Sequence, residues 1–265
     1  MHRLIACLLL LTALPVSAAE RVISLAPSLT EIVIELNATD LLVGVLDGGE
    51  RPAQVAALPS VGRYGQLQME QLLSLRPDLL LLWPGSVSIA QRDQLQRLDI
   101  PTFVAEPHTL DELADQIEQV GVRLGRAERG RQVAGAFRER LSALRQRYHR
   151  TVPVSVFYQV WDQPLYTVGG GQIISDALSV CGARNVFADL TQPAPQVSLE
   201  AVLQRDPEVI LTSDARLLSG WNAWPQLKAV KNQHLLAVPD KGLERASGQM
   251  IDAVAKLCER LSPDR

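Results

Sequence analysis

Two sets of short, strongly apolar runs, separated by a long polar segment, constrain this chain more than any other feature. The runs of the first set are 21–25, 42–45, 79–82 and 102–104, and those of the second are 154–158, 209–212 and 235–238. Short apolar runs that alternate with helical stretches are typical of parallel strands covered on both faces. The pattern therefore predicts an α/β chain with two Rossmann-like lobes, each built on a mainly parallel sheet.

The polar segment between the two sets has the period of an α-helix. Apolar residues recur at steps of three and four from Leu110 to Leu124 and again from Val133 to Tyr148, with Gly125 between the two stretches. This spacing predicts two amphipathic helices. A second helix of about 22 residues would be roughly 33 Å long. Such a rigid backbone helix would hold two lobes at a fixed spacing.

The first residues are typical of a secretory signal peptide. A short basic start is followed by an apolar run, residues 4–14, and then by small residues that end at Ala19. The run is too short to span a bilayer comfortably, so we predict a cleaved leader and an exported, soluble protein. The predicted division is a signal peptide at 1–19, an N-terminal lobe at 20–108, a connecting helical segment at 109–150 and a C-terminal lobe at 151–265.

An internal repeat supports the two lobes. Residues 69–81 align without gaps on residues 199–211, at an offset of 130. Each copy reads as a short helix, a proline, an acidic residue and an aliphatic strand, and each carries a glutamate at its second position, Glu70 or Glu200. Helix, proline and strand also recur by chance in α/β proteins, but the matching glutamates favour a duplication.

Export changes the interpretation of the cysteines. Cys181 and Cys258 remain once the leader is removed, and an even number of cysteines in an oxidising compartment favours a disulfide. Two buried free thiols are the alternative.

Composition and motifs argue against an enzyme or a nucleic-acid binder. The chain is 47% apolar and 21% charged, with a net charge of −3, and no face is basic enough for nucleic acid. It has no Gly-x-Ser-x-Gly elbow and no phosphate-binding loop. His108, His149 and His234 lack metal-ligand spacing. We therefore predict a non-enzyme without a cofactor or a structural metal; a secreted α/β hydrolase is the less favoured alternative.

Aromatic residues instead suggest a binding site. Trp83 and Trp161 follow predicted strands, and Tyr64 lies in a glycine-rich loop. Ligands of open parallel sheets bind beyond the carboxyl ends of the strands, so these rings are predicted to line a cleft for a large, flat, partly apolar ligand. Packing within a lobe is the alternative, and it is preferred for Trp221 and Trp224.

A charged loop after the last predicted strand would lie at the mouth of the second lobe. Its residues are Lys241, Gly242, Leu243, Glu244 and Arg245. Taken alone, this loop reads as a solvated surface segment.

Three further segments match one family of transport proteins. They are 22–31 (VISLAPSLTE), 195–200 (PQVSLE) and 244–247 (ERAS). With these segments, the chain resembles the periplasmic substrate-binding proteins of cobalamin ABC importers, a helix-hinged class that also carries haem and ferric siderophores. The resemblance implies that a corrinoid is captured between two lobes and delivered to an inner-membrane permease dimer with its ATPase. Haem or ferric-siderophore binding is the alternative within the class.

The resemblance also implies a ligand site. Tyr64 replaces a ring-stacking tryptophan of the family, Trp83 matches a family tryptophan, and the loop 241–245 falls where the family contacts the corrinoid. Two positions depart from the family: Ala194 stands in place of a tryptophan and Gly48 in place of a tyrosine.

Other residues match positions with known roles in the family. Cys181 and Cys258 fall on the family's disulfide. Glu70 and Glu200 fall where one surface carboxylate on each lobe engages arginines of the permease.

Overall fold

The structure is a computed structural model that describes residues 18–49 and 51–262. Its strands are β1 Val22–Ser24, β2 Leu42–Asp47, β3 Ser60–Arg63, β4 Gln66–Leu67, β5 Leu79–Leu82, β6 Thr102–Val104, β7 Val154–Asp162, β8 Leu165–Thr167, β9 Ala183–Asn185, β10 Val209–Thr212 and β11 Leu235–Ala237. Its α-helices are α1 Pro27–Glu35, α2 Met69–Ser74, α3 Ile89–Gln96, α4 Leu110–Arg123, α5 Ala127–Tyr148, α6 Ile173–Val180, α7 Leu199–Arg205, α8 Lys228–Lys231 and α9 Met250–Arg260. Of the predicted signal peptide, residues 1–17 lie outside the described part.

The N-terminal sheet has the strand order β4-β3-β2-β1-β5-β6. Its pairs are parallel except for the short hairpin of β3 with β4. The four leucines of β5 are all buried because the strand lies inside the sheet, between β1 and β6. This is the expected behaviour of a parallel strand that is covered on both faces.

The C-terminal sheet repeats the same core arrangement. Strand β10 lies between β7 and β11, and β9 pairs in parallel with the first part of β7. The order β9-β7-β10-β11 therefore corresponds to β2-β1-β5-β6 of the other lobe. The second part of β7 pairs with β8 in an antiparallel hairpin. The predicted fold class of two parallel-rich α/β lobes is confirmed.

The internal repeat is structural as well as sequential. Its first copy forms α2 and β5, and its second copy forms α7 and β10. Between helix and strand, Arg76 (φ 48°) and Asp206 (φ 42°) both take the left-handed conformation, and both precede a proline. Residues other than glycine seldom adopt this conformation. The same exception at equivalent positions supports a duplicated α–β unit.

Helices α4 and α5 form the connection between the lobes. They pack against each other as a hairpin with its turn at Gly125, and α5 is 22 residues long. Near the start of α5, Arg126 pairs with Asp40 of the N-terminal lobe at 3.0 Å. Further along α5, Arg140 pairs with Asp252 in α9 of the C-terminal lobe. Helix α5 is thus fastened to both lobes. Within the described residues, no helix is long and apolar enough to cross a bilayer.

A disulfide joins two helices of the C-terminal lobe. Cys181 at the end of α6 is bonded to Cys258 in α9, with their Cα atoms 4.5 Å apart. Both residues are fully buried among apolar side chains. The predicted disulfide is confirmed.

Removal of this disulfide should destabilise the protein without changing its fold. The bond closes a loop between residues 77 positions apart, and the chain-entropy argument gives about 4 kcal/mol of stabilisation for such a loop. We expect the Cys181→Ala/Cys258→Ala variant to unfold at lower urea concentration with an unchanged far-UV circular dichroism spectrum. Equal midpoints for the variant and the oxidised wild type would contradict this expectation.

Candidate functional site: a cleft between the lobes

A cleft of about 510 Å³ lies between the two lobes, within the range of small-molecule sites. The N-terminal lobe and α4 line it with Pro27, Ser28, Leu29, Gly48, Tyr64, Trp83, Gly85, Ala105, Glu106, Pro107, His108 and Gln116, and the C-terminal lobe with Gln172, Ile173, Ile174, Pro193, Lys241, Leu243, Glu244, Arg245 and Ala246. Several of these residues directly follow β1, β2, β5 or β6, at the carboxyl ends of parallel strands. Open α/β sheets bind their ligands at this edge.

Two aromatic rings form the wall on the side of the N-terminal lobe. The rings of Tyr64 and Trp83 meet edge to face, with their centroids 6.0 Å apart. The two side chains remain 45% and 38% exposed, respectively, although both are large and aromatic. Exposed rings that share one surface are suited to contact with a flat ligand.

Two glycines make room for these rings. A Cβ atom on Gly48 would lie 2.7 Å from Cε2 of Tyr64, and a Cβ atom on Gly85 would lie 2.6 Å from Cζ2 of Trp83. Neither position can therefore carry a side chain while the rings stay in place. At Gly48 the rings of Pro27 and Tyr64 fill the space that a side chain would need.

The charged loop forms the opposite wall. Its backbone is fixed by Asp240, whose carboxylate accepts hydrogen bonds from the backbone of Gly242 at 2.8 Å and from Lys256 at 2.5 Å. Leu243 is fully buried and anchors the loop from within. The loop is therefore an ordered wall with Lys241 at one end, although its sequence also fits a solvated segment.

A buried tyrosine supports this wall from behind. Tyr158 of β7 is 1% exposed, and its hydroxyl donates a hydrogen bond to Glu244 at 2.9 Å. Burial, reinforced by the Glu244 carboxylate, raises the pKa of Tyr158 well above its usual value. The phenol therefore stays protonated and holds Glu244 in place.

The two walls are linked across the lobe boundary by Glu31 of α1. This side chain is buried, yet it accepts hydrogen bonds from Arg245 and from the hydroxyl of Ser247, the latter at 2.9 Å. A buried carboxylate is stable only when it is paired and hydrogen-bonded. Glu31 meets this condition entirely with groups of the other lobe.

One turn further along α1, Glu35 makes a second contact with the other lobe. Its carboxylate accepts hydrogen bonds from the backbone of Gly248 at 2.9 Å and of Gln249 at 3.2 Å, at the start of α9. Burial raises the pKa of Glu35 to about 7, with a smaller contribution from Glu31, against the effect of the two backbone hydrogen bonds and of Arg129.

The structure brings most, but not all, of the predicted ligand residues together. Tyr64, Trp83, Lys241, Glu244 and Arg245 line the cleft with exposed or half-buried side chains. Leu243 borders the cleft too, but its side chain is fully buried. Gly242 does not, because it faces Ala253 of α9. Trp161 does not either, because β7 continues beyond Tyr158 and carries Trp161 into the β7–β8 hairpin, where it is 55% exposed opposite Tyr166.

The sequence did not reveal Glu31, which links the two walls, or Gln116, which lines the cleft. Glu31 lies within the opening motif 22–31, but its partners are more than 200 positions away, so no local pattern reveals the contact. Gln116 lies on the buried side of α4 next to Ile117, and a polar residue at such a position was the available signal. Within the described residues, no cluster of His, Cys, Asp and Glu has the arrangement of a metal site.

Two α/β lobes that enclose a cleft and are joined by α-helices define a class, the two-lobed, helix-linked solute-binding proteins. The chain belongs to the periplasmic binding protein family, whose sequence profile matches residues 22–241. This membership confirms the expected resemblance and the prediction of a binding protein in place of an enzyme.

Individual relatives cover nearly the whole chain. The vitamin B12-binding protein of Vibrio cholerae serotype O1 is 37% identical over 266 residues, 98% of this chain and 96% of that protein. The vitamin B12-binding protein of Yersinia pestis is 36% identical and covers 96% of this chain and 91% of its own length. The crystal structure of the periplasmic vitamin B12 binding protein BtuF of Vibrio cholerae matches with a TM-score of 0.84 at 37% identity, over 92% of this chain and 97% of that chain.

Haem-binding proteins share the fold at lower identity. The periplasmic haem-binding protein BhuT, in complex with two haems, matches with a TM-score of 0.79 at 22% identity, over 93% of this chain and 99% of that chain. This likeness concerns the fold alone.

Protonation of Glu35 should make the stability depend on pH. Because its pKa rises from the usual 4.5 to about 7 on folding, the folded state binds the proton more tightly, and the free energy of unfolding falls as the pH rises through this window. We expect a loss of up to about 3 kcal/mol between pH 4.5 and 7. Urea unfolding of the wild type and of Glu35→Gln across pH 4.5–8 measures the effect as the difference between the two. A pH-independent difference would refute the assignment.

Proposed function

We propose that this protein captures cobalamin or a related corrinoid between its two lobes in the periplasm and delivers it to the permease of an ABC importer. The observation that carries the proposal is the cleft itself, which has an aromatic wall on one lobe and an ordered polar wall on the other. Full-length relatives that are named vitamin B12-binding proteins support the same ligand. Affinity would come from burial of the planar ring system in a preformed cleft.

The charge balance of the cleft favours a ligand without net charge. Among the described residues that line it, the carboxylates of Glu106 and Glu244 balance the cations of Lys241 and Arg245. Arg245 is moreover paired with Glu31. Cobalamin is neutral overall and is fringed by amides, whereas haem carries two carboxylates. A balanced cleft offers no excess of cations to a haem or to an anionic siderophore complex.

The two tyrosines nearest the site, Tyr64 in the wall and Tyr158 behind it, also favour a corrinoid over haem. A tyrosine that binds haem iron does so as a phenolate. Burial raises the pKa of Tyr64 as well as that of Tyr158, although Arg245 partly opposes the shift at Tyr64. Tyr158 is enclosed behind the wall and donates to Glu244, and the ring of Tyr64 beside Trp83 is suited to stacking on a flat ligand. Arg63, next to Tyr64 in the chain, donates to Gln66 at 2.7 Å and does not line the cleft, so it offers no cation to an anionic siderophore complex.

Individual ligand roles are part of the proposal. Tyr64 and Trp83 would contact the ring system on one side, and the loop 241–245 would contact it on the other. Trp161, which is exposed on the β7–β8 hairpin, would contact only a part of the ligand that extends beyond the cleft.

The same proposal assigns Glu70 and Glu200 to permease docking. Both are exposed in the first turn of a short helix, α2 or α7, and each helix leads into a parallel strand. A helix that precedes a parallel strand begins at the carboxyl edge of the sheet, so both carboxylates lie at the cleft edge of their lobes. A permease dimer with its ATPase could engage one on each lobe.

Glu200 is held in its charged form. Its own backbone N–H and the hydroxyl of Ser198 lower the pKa of this exposed carboxyl. A carboxylate near a helix N-terminus is also favoured by the helix dipole, and this local role is the alternative to docking.

Binding experiments separate the ligand candidates. We expect cyanocobalamin to bind with sub-micromolar affinity and to quench tryptophan fluorescence, and haemin and a ferric siderophore to bind far more weakly. Tyr64→Ala should weaken cyanocobalamin binding by about 1–3 kcal/mol through loss of the stacked ring, whereas Tyr64→Phe should retain it. Calorimetry measures all five affinities; no heat with cyanocobalamin at tens of micromolar would rule out the corrinoid.

Charge reversal tests the docking role. The Glu70→Lys/Glu200→Lys variant should bind ligand like the wild type but fail to support transport or transporter-stimulated ATP hydrolysis, because it sets cations against permease arginines. Glu139→Lys/Glu259→Lys, with the same change of charge at exposed positions on α5 and α9, is the matched control and should transport normally. Delivery by the first variant would show that these carboxylates do not dock.

A further inference from the structure

Gln116 is a polar residue in an apolar setting at the floor of the cleft. It lies on the buried side of α4 with its neighbours Leu113, Ile117 and Val120, which are fully buried. Gln116 is itself only 7% exposed and lines the cleft. Its side-chain amide makes no hydrogen bond with any other residue in 18–49 or 51–262.

The unpartnered amide is open to the cleft. Within the described part of the chain, the one fully enclosed side-chain N or O atom without a partner is Nε of Arg150. The amide atoms of Gln116 have no partner either, yet they are not fully enclosed. They are therefore accessible from the cleft that the residue lines, although the rest of the residue is buried. Buried polar groups are nearly always hydrogen-bonded, so this amide offers an unused donor and an unused acceptor to whatever fills the cleft.

His108 adds a second polar group to the lining of the cleft. Its Nδ1 lies 2.9 Å from the carbonyl oxygen of Gly171 in the other lobe. Because a carbonyl oxygen only accepts, Nδ1 donates to it, and Nε2 is then an acceptor in a ring that carries one proton. His108 lines the cleft just before α4 begins.

We propose that Gln116, assisted by His108, recognises a primary carboxamide at the edge of the bound ligand. The inference rests on the proposed function and specifies which chemical group of the ligand the floor of the cleft recognises. A carboxamide can donate to the carbonyl of Gln116 or to Nε2 of His108 while it accepts from the Gln116 amide. A carboxylate can only accept. Its oxygens would therefore face the carbonyl oxygen of Gln116 and Nε2 of His108 without forming hydrogen bonds to them. The floor therefore selects amidated corrinoids against corrinoids that carry a free acid.

Binding of cyanocobalamin can be compared with binding of its three monocarboxylic acids, in which one propionamide is hydrolysed. We expect the wild type to bind cyanocobalamin about tenfold or more tightly than at least one of these acids. Gln116→Leu should lose about 5- to 30-fold in affinity for cyanocobalamin and should discriminate less than threefold against that acid. Gln119→Leu, at an exposed position of the same helix, is the matched control and should behave as the wild type.

Two further variants sharpen the test. Gln116→Glu keeps the shape and an acceptor but removes the donor, so its discrimination against the acid should exceed that of the wild type. His108→Phe should lower both the affinity for cyanocobalamin and the discrimination. Melting temperatures verify that each variant is folded.

The outcomes distinguish this inference from the proposed function. If the wild type binds cyanocobalamin but Gln116→Leu binds it equally well, or if all three acids bind as tightly as cyanocobalamin, carboxamide recognition is wrong and corrinoid binding stands. If the wild type binds no cyanocobalamin, the proposed function fails and this inference fails with it.

Discussion

The contact of Glu31 with Arg245 and Ser247 is the interaction on which the cleft depends. Glu31 follows β1 of one lobe, and its two partners follow β11 of the other. A carboxylate that is 5% exposed would be very costly to bury without these partners. Separation of the lobes at this point would leave its charge without compensation, so the two walls are held at one spacing. Glu35 adds a second contact between the lobes one turn along α1, where its carboxyl group accepts hydrogen bonds from the start of α9.

This link also determines the electrostatics of the site. Arg245 lines the cleft, but its charge is matched by a carboxylate from behind the wall. The arginine is thereby held in one position and is less available to an anionic ligand. Helix α5 adds a second constraint, since it is ion-paired to both lobes. A cleft whose walls are fixed before binding loses less conformational entropy when it is filled. The contact between Glu31 and Arg245 therefore contributes both to the charge balance of the cleft and to its rigidity.

The sequence predicted those strands, helices and the disulfide that are marked by a local pattern of residues. The seven apolar runs are strands, the 3–4 periodicity became α4 and α5, and the two cysteines are bonded. The strands that were not predicted, such as β4 at Gln66–Leu67, are too short and too polar for an alternating pattern to be recognised. Trp161 was expected at the cleft because β7 was predicted to end at Tyr158, whereas pairing with β8 extends it to Asp162. Contacts across the lobe boundary, such as Glu31 with Arg245 at a separation of 214 residues, carry no local signal at all.

The two lobes share a framework and differ where they face the cleft. The repeated α–β unit is equivalent down to the left-handed residue at Arg76 and Asp206. The walls, in contrast, come from segments outside the repeat: two rings seated over Gly48 and Gly85 on one side and a charged loop on the other. A corrinoid has no two-fold symmetry, so its two faces require different walls. A permease dimer has two-fold symmetry, so equivalent carboxylates at Glu70 and Glu200 suit it. The repeat and the walls are separate segments of the chain. The surface proposed to face the permease can therefore be two-fold symmetric, while the two walls that face the ligand differ from each other.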